Sequence, residues 1–290
     1  MKAYLDLVKK VLENGKKVPT RQGKDAYTIA GAIFEHEMSD GFPLLTTKKV
    51  PLRLVATELE CFINGFTDKK WFQDRNNHIW DEWASPIKAP YGHDQESKQK
   101  MREERDLGPI YGFQWRHFNA PYKSYDSNYE GKGVDQLKKI IETLKTNPRS
   151  RRMIVSAWNP AQTEEMSLPP CFYAFQVTVI GDKLNLLWNE RSVDIMLGLP
   201  FDIASHALLL HLIAKEVGLK PGKLVGFLGD VHLFENHVEG AKEQLSRDPN
   251  KYPLPKIEIE NWKSIFDWKA TDVKLIDYQS YERIPFEIAI

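Results

Sequence analysis

The residues best suited to do chemistry lie between residues 169 and 202. Cys171 follows two prolines, and because each proline fixes its own φ, the backbone leading to this thiol is held in place. About twenty residues later the chain reads Arg191-Ser192-Val193-Asp194. This second motif supplies a guanidinium group suited to a phosphate, a hydroxyl and a carboxylate. One stretch therefore contains a nucleophile, an anion-binding group and an acid.

Taken alone, Cys171 has a simpler interpretation. The four residues after it are apolar or aromatic, and a single cysteine in such a run is usually a small buried residue. The residues that accompany the thiol favour a nucleophile instead. In chain order they are Arg191, Ser192, Asp194, Gly198, Pro200 and Phe201.

In order and spacing these residues resemble the thymidylate synthase superfamily, and the resemblance extends from Arg21 to Ile290. It implies one α+β domain over residues 1–290, with a large mixed sheet flanked by helices. One face of that sheet is implied to form a homodimer interface. The apolar tail, residues 285–290, is implied to fold over the site as a lid. Residues 84–107 are rich in charge and are expected to be a solvated, partly helical insertion without catalytic residues.

The composition limits the class of protein. Forty basic and forty acidic residues cancel, which argues against a duplex nucleic-acid binder. The two cysteines cannot form a disulfide framework and indicate a reducing compartment. No apolar run reaches membrane-spanning length, and residues 1–15 are expected to be an amphipathic helix rather than a signal peptide. We therefore expect a cytoplasmic protein without a membrane, nucleic-acid or metal partner.

Apolar periodicity predicts the main elements. Helices are predicted over residues 2–14, 51–65 and 135–144, and a long one from about residue 200 to Gly218. Strands are predicted over residues 26–34, 153–157, 172–180 and 184–189. Residues 224–228 are predicted to be a further strand, and residues 229–232 to lead from it into another helix.

Glu58 is unusual because it is a carboxylate near the apolar face of the helix over residues 51–65. Such a glutamate usually reaches solvent. The resemblance implies instead that Glu58 relays protons at the 4-position of a bound pyrimidine, and burial would raise its pKa for that task. Tyr111 is implied to belong to the same hydrogen-bond network.

The resemblance also implies which residues hold two small molecules, a pyrimidine nucleotide and methylene-tetrahydrofolate. The implied nucleotide-binding residues are Arg21, Arg191, Ser192, Asp194, Asp202, His232 and Phe234, with Arg151 and Arg152 reaching the phosphate of the neighbouring subunit's nucleotide. The implied folate-binding residues are Ile79, Trp80, Trp83, Asp194, Leu197, Gly198, Phe201 and Ala289. For each arginine the alternative is a solvated surface charge, and for each tryptophan it is core packing.

The implied chemistry begins with addition of the Cys171 thiolate to C6 of the pyrimidine, which makes C5 nucleophilic. C5 then attacks the methylene group of the folate. After the folate leaves, hydride from it gives a methyl group, whereas water gives a hydroxymethyl group. Arg191 beside Cys171 is expected to lower the pKa of the thiol.

Several residues depart from the thymidylate synthase pattern. Asp202 stands where the family selects uracil with an asparagine, and an ionised carboxylate only accepts hydrogen bonds. It can accept from the 4-amino group of cytosine, and a proton shared with N3 would complete a second bond. Phe172, Glu190 and His206 replace the usual histidine, glutamine and tyrosine, and Phe234 replaces a tyrosine that binds the sugar 3′-oxygen. Each change alone is compatible with neutral drift.

These departures lead us to expect 5-hydroxymethylation of dCMP or CMP, as in the deoxycytidylate and cytidylate hydroxymethylases of this superfamily. A mispaired buried polar group costs about 1–3 kcal/mol, which is enough to reverse a preference for uracil over cytosine. The alternatives are reductive methylation of dUMP, methylation of dCMP, and a non-catalytic nucleotide- or RNA-binding protein of the same fold. Because phenylalanine replaces the tyrosine at residue 234, the substrate nucleotide could carry either ribose or deoxyribose.

Overall fold

A mixed sheet is the centre of the fold in the computed structural model, which describes residues 1–21 and 23–287. Six strands form it: β1 (Lys16–Val18), β2 (Ala26–Glu37), β3 (Ile154–Ser156), β4 (Phe172–Ile180), β5 (Lys183–Asp194) and β6 (Lys220–Phe234). Their order is β1-β2-β6-β5-β4-β3. The β5–β6 pair is parallel and the other neighbours are antiparallel. A separate hairpin joins β7 (Lys256–Ile259) and β8 (Val273–Ile276).

Helices cover one face of the sheet. They are α1 (Lys2–Asn14), α2 (Leu52–Asn64), α3 (Lys69–Gln73), α4 (Gln95–Glu103), α5 (Tyr111–His117), α6 (Gln136–Thr146), α7 (Gly198–Val217) and α8 (Val238–Ser246). Helix α7 packs on β5 and β6, α1 packs on β2, and α2 lies against α5 and α7. The buried faces of these elements form one large apolar core. The predicted α+β fold with a large mixed sheet flanked by helices is confirmed.

Strand β6 differs from its prediction. Residues 229–232 belong to the strand itself, which continues to Phe234, and the predicted helix follows as a short 3-10 turn (Glu235–His237) and α8. This segment pairs with β2 on one side and β5 on the other, so its backbone groups are satisfied only if it stays extended. The extension places His232 opposite Asp194 of β5.

The other face of the sheet carries apolar side chains that the described chain leaves exposed. Ile33 is 58% exposed and pairs in register with Phe227, which is 41% exposed. Ile154, Tyr173 and Ile180 are exposed as well. Contiguous exposed apolar residues of this kind mark interaction surfaces.

The charged segment over residues 84–107 is partly helical, as predicted, because it contains α4. The two ends of the segment are held together by the buried amine of Lys69. This amine donates to the carbonyl groups of Trp83 (2.8 Å) and Met101 (2.5 Å). The ring of Tyr91, in the same segment, lies parallel to that of Trp83, with centroids 6.4 Å apart. Most residues of the segment are exposed to solvent, but Tyr91 contacts Trp83, which is a predicted folate-binding residue.

Candidate active site

Cys171 lies immediately before β4, and its backbone is held on both sides. Its N–H donates to the hydroxyl of Tyr111 at 2.8 Å, and its carbonyl accepts from the N–H of Arg191 at 2.8 Å. The thiol is partly buried. The order of β4 and β5 in the chain, joined by a tight turn at Gly181, brings Arg191 back beside Cys171.

Arg191 fixes the loop that carries the nucleophile. Its Nε donates to the carbonyl of Pro170 at 2.9 Å and its Nη2 to that of Pro169 at 2.8 Å. The expected lowering of the pKa of Cys171 is wrong. Burial is the largest effect and raises the pKa of this thiol to about 11, and the nearby Glu190 adds to the increase. Arg191 does act in the lowering direction, but it is outweighed.

Glu58 lies on α2, and its charge influences the pKa values of Asp202 and Tyr111. The indole N–H of Trp80 donates to its Oε1 at 2.8 Å. Burial raises the pKa of Glu58 to about 7, and the Trp80 hydrogen bond opposes this increase. A carboxyl group with such a pKa can both donate and accept a proton near neutral pH.

An aromatic wall connects Glu58 with the nucleophile. The ring of Tyr111 stacks on Phe62 with centroids 5.0 Å apart and contacts Phe172 at 4.4 Å. Phe172 in turn meets the edge of His206 at 5.0 Å. Burial raises the pKa of Tyr111 well above its usual value, so its hydroxyl stays protonated. This wall provides a dry, rigid side to the site.

Asp202 lies near the start of α7 and Glu190 lies on β5, and each carboxyl group influences the pKa of the other. Glu190 is 2% exposed, and its Oε2 accepts from the indole N–H of Trp188 at 3.1 Å. Burial and the adjacent carboxyl group raise the pKa of Asp202. A raised pKa favours the protonated form of Asp202, which can donate a hydrogen bond as well as accept one. The sequence pointed to Glu190 only as a departure from the family, with no role.

Trp188 is itself held in place. Its ring is stacked on His206, with centroids 4.9 Å apart and an interplanar angle of 12°. A Cβ at Gly226 would lie 2.3 Å from the indole, so glycine is needed there to leave room for the ring. The Nδ1 of His206 lies 2.7 Å from the backbone carbonyl of Asp202, and burial lowers the pKa of this imidazole to about 4. His206 is therefore neutral and donates to that carbonyl.

Apart from Asp202 on α7, the predicted nucleotide-binding residues fall into two groups. Those on β5 and β6 are brought together, since Ser192 pairs with Asp230 and Asp194 with His232. The Nδ1 of His232 lies 2.9 Å from Oδ1 of Asp230, and its ring meets the edge of Phe234 at 5.2 Å. The other group consists of exposed arginines: Arg21, Arg151 and Arg152.

Asp194 organises the turn between β5 and α7. Its Oδ1 accepts from the N–H groups of Met196 at 2.8 Å and Leu197 at 3.2 Å. Leu197, Gly198 and Phe201 are half-buried around the start of α7, as are Ile79 and Trp83 before the charged segment.

Trp80 differs from the other predicted folate contacts because it is only 5% exposed. Its ring is covered by Phe62, Phe72 and Tyr111. Within the site it contacts Glu58, through its indole N–H, and Tyr111.

The tail reaches the site through residues that the sequence did not single out. The Nε2 of His237 lies 2.8 Å from the carbonyl of Glu287, and its ring contacts Phe286 at 5.0 Å. The buried amine of Lys48 donates to the carbonyl of Met196 and lies 4.7 Å from the centre of the Phe286 ring. These positions are far apart in the chain, so no local pattern could have grouped them. Ala289 lies outside the described residues.

Within residues 1–21 and 23–287, no group of three or more His, Cys, Asp or Glu side chains is arranged to hold a metal ion. In the same part of the chain, none of the helices combines the length and the apolar character needed to cross a membrane.

Comparison with known proteins identifies close relatives. A family model described as Thymidylate synthase matches residues 2–290. The chain is 42% identical to the thymidylate synthase of Mycoplasma pneumoniae over 100% of both proteins. It is also 42% identical to the bifunctional dihydrofolate reductase-thymidylate synthase of Paramecium tetraurelia, covering 99% of this chain and 61% of that protein. For the bifunctional protein of Leishmania major the identity is 43%, over 99% of this chain and 55% of the relative. The chain thus spans little more than half of the two bifunctional proteins.

Proposed function

The chain belongs to the thymidylate synthase family, and within that family of methylene-tetrahydrofolate-dependent transferases we propose that it hydroxymethylates C5 of a cytosine nucleotide, dCMP or CMP. The observation that carries the proposal is the carboxyl group of Asp202 at the base-selecting position near the start of α7, whose pKa is raised by burial and by the buried Glu190. The free thiols of Cys61 and Cys171 fit a reducing compartment, and we propose that the reaction takes place in the cytoplasm.

Cytosine fits a protonated Asp202 because of its hydrogen-bond pattern. Its N3 accepts and its 4-amino group donates. A carboxyl group that carries a proton offers one donor and one acceptor. Asp202 can therefore donate to N3 and accept from the amino group, and a site built on such bonds discriminates by roughly four orders of magnitude.

The reaction proceeds through a covalent adduct. The thiolate of Cys171 adds to C6, and C5 then attacks the one-carbon group that methylene-tetrahydrofolate supplies. Burial raises the pKa of the thiol, so thiolate formation needs the proton to leave as substrate binds, with Tyr111 at hydrogen-bond distance to support the anion. Glu58 takes part in proton transfer at the 4-position. Water rather than hydride completes the product.

We assign the other contacts to nucleotide and folate to the residues that the sequence predicted for them. The arginines Arg21 and Arg191 bind the nucleotide phosphate, and Ser192, His232 and Phe234 line the nucleotide site. Asp194, Leu197, Gly198 and Phe201 hold the folate together with Ile79, Trp80 and Trp83.

We further propose a homodimer. The exposed apolar face that includes Ile33 and Phe227 supports it, because such a face is stable in water only when covered. The exposed Arg151 and Arg152 precede β3 at the edge of this sheet and are free to reach a partner's phosphate.

Methylation of dUMP is the second candidate, and two observations favour it. The full-length relative from Mycoplasma pneumoniae is named as a thymidylate synthase. In addition, a protonated carboxyl group can imitate an amide by donating to O4 and accepting from N3–H of uracil.

One set of incubations with different nucleotides distinguishes hydroxymethylation of a cytosine nucleotide from methylation of dUMP. The purified protein is incubated with methylene-tetrahydrofolate and each of CMP, dCMP, UMP and dUMP, and the product masses are determined. We expect the cytosine nucleotides to gain the mass of a hydroxymethyl group, with tetrahydrofolate released. Turnover of dUMP alone, with release of dihydrofolate, would overturn the proposal in favour of the second candidate.

A further inference from the structure

Tyr91 is the only Phe, Tyr or Trp in the charged segment over residues 84–107. Its ring lies nearly parallel to the indole of Trp83, with an interplanar angle of 14° and centroids 6.4 Å apart. The imidazole of His93 meets its edge at 5.1 Å. Aromatic pairs favour offset parallel arrangements with centroids about 4.5–7 Å apart. A residue of the charged segment therefore supports a predicted folate-binding side chain.

The part of the charged segment around Tyr91 is anchored to its surroundings. Ala84, Ala89 and Met101 pack together as a small apolar core under the segment. At the surface, Nε of Arg102 on α4 donates to Oε1 of Glu82 at 2.7 Å. Both contacts join α4 to the residues around Trp83, so the chain between them has a defined path.

Close packing against α4 sets the position of Tyr91 itself. A Cβ at Gly92 would lie 2.6 Å from Cβ of Ser97, so only glycine lets the chain pass this close to the helix. Oδ1 of Asp94 accepts from the N–H of Ser97 at 2.9 Å and caps the start of α4. The residues that follow Tyr91 are thus held by the helix.

A second predicted site residue contacts the same ring. The guanidinium carbon of Arg21 lies 5.9 Å from the centre of the Tyr91 ring. A cation within about 6 Å of the centre of an aromatic face is attracted to it. Arg21 is assigned to the nucleotide phosphate and Trp83 to folate. Tyr91 therefore contacts one residue assigned to each substrate.

We propose that Tyr91 is a positioning residue that holds the indole of Trp83 in place for folate and links it to the phosphate-binding Arg21. The inference rests on the proposed function, because both assignments belong to it. A ring that is held in place before folate arrives loses less conformational freedom on binding, and the affinity is higher for that reason. The charged segment thus contributes to substrate binding although it carries no reacting group.

The first test compares two replacements of Tyr91. Tyr91→Leu removes the aromatic face and keeps an apolar side chain, whereas Tyr91→Phe keeps the ring. Tetrahydrofolate, which has no one-carbon group to transfer, is titrated by calorimetry into each protein saturated with dCMP, and again with dUMP. We expect Tyr91→Leu to weaken binding about three- to tenfold and Tyr91→Phe to bind within about twofold of the wild type. In turnover, KM for methylene-tetrahydrofolate should rise with little change in kcat.

Phe66→Leu is the matched control. Phe66 is 41% exposed, as is Tyr91, and its ring lies 5.8 Å from that of Trp71. The guanidinium of Arg75 lies over the Trp71 ring at 3.9 Å. The control therefore breaks a similar aromatic contact between residues outside the predicted site, and it should bind tetrahydrofolate like the wild type. Circular dichroism and the melting temperature establish that each variant is folded.

The link to Arg21 is tested by a double-mutant cycle. Nucleotide affinity is measured for the wild type, Tyr91→Leu, Arg21→Ala and the double variant, with dCMP, or with dUMP if the wild type binds only that nucleotide. Tyr91→Leu should weaken nucleotide binding about two- to fivefold when Arg21 is present and leave it unchanged when Arg21 is absent. Equal weakening in both backgrounds would overturn the link.

Two results of the first test would overturn the inference. Wild-type affinity of Tyr91→Leu for tetrahydrofolate would mean that Trp83 needs no support from Tyr91. Tighter binding would mean that Tyr91 covers the folate site instead of supporting it. Binding of dUMP without binding of dCMP is a different result, because it removes the proposed base preference and leaves the comparison of Tyr91 variants intact.

Discussion

The indole N–H of Trp80 donates to Oε1 of Glu58 at 2.8 Å, across the interface between α2 and the segment that precedes α4. Trp80 is thereby more than a core residue, since it orients the carboxyl group that we assign to proton transfer. The contact also limits how far burial raises the pKa of Glu58.

Glu58 should make the stability of the protein depend on pH. Its pKa is about 7 in the folded protein and about 4.5 in the unfolded chain. The unfolded chain therefore loses this proton first, and the free energy of unfolding should fall as pH rises between these values, by up to about 3 kcal/mol. Glu58→Gln should remove this part of the dependence. Denaturant unfolding of the wild type and the variant at about pH 5 and about pH 8 measures the change in the free energy of unfolding. An equal change in the two proteins would contradict the prediction.

Replacement of the nucleophile should abolish turnover without unfolding the protein. Cys171→Ala is expected to lower kcat by roughly three orders of magnitude or more, because no other group can form the C6 adduct. Binding of nucleotide should persist. The control is Cys61→Ala, which alters a thiol buried within α2. It should retain kcat and lose on the order of 1 kcal/mol of stability. Full turnover by Cys171→Ala would show that Cys171 is not the nucleophile.

Asp202→Asn should change the base that is accepted. The amide always carries a donor, which suits O4 of uracil, and it lacks a proton to give to N3 of cytosine. We expect the ratio of kcat/KM for dCMP to that for dUMP to fall by roughly two to four orders of magnitude. Competition between the two nucleotides in one reaction gives this ratio directly. A variant that still prefers cytosine would show that another residue selects the base.

The exposed sheet face should hold two copies together. Ile33→Lys places a charge beside Phe227 and should convert dimers into monomers, as measured by sedimentation. Ile87→Lys is the control, since Ile87 is 68% exposed and lies in the charged segment. If both variants sediment like the wild type, this face is not the interface.

Shared sites make a separate prediction. A variant with Arg151→Ala and Arg152→Ala should be inactive because it cannot hold its partner's phosphate, and Cys171→Ala is inactive for lack of a nucleophile. Mixed dimers contain one site with an intact thiol from the first variant and intact arginines from the second. Activity should therefore reappear when the two are mixed under exchange conditions. Continued inactivity of verified mixed dimers would mean that the arginines act within their own subunit.

The sequence by itself determined the fold class and the residues to examine. Cys171, Arg191, Asp194 and Asp202 follow one another through β4, β5 and the start of α7, so their spacing along the chain is carried directly into neighbouring positions in space. Most helices and strands were predictable for the same reason, because their apolar periodicity is local. The extended β6 was not, since its last residues are held by strands on both sides.

Only the tertiary structure decided how these groups affect each other. The influence of Glu190 on the pKa of Asp202, the support of Glu58 by Trp80, and the orientation of Arg191 toward two proline carbonyls all join residues from separate elements. The net pKa of Cys171 depends on the same arrangement, because burial opposes the nearby arginine and prevails. Side-chain direction and desolvation are properties of packed elements, and a linear pattern of residue types does not contain them.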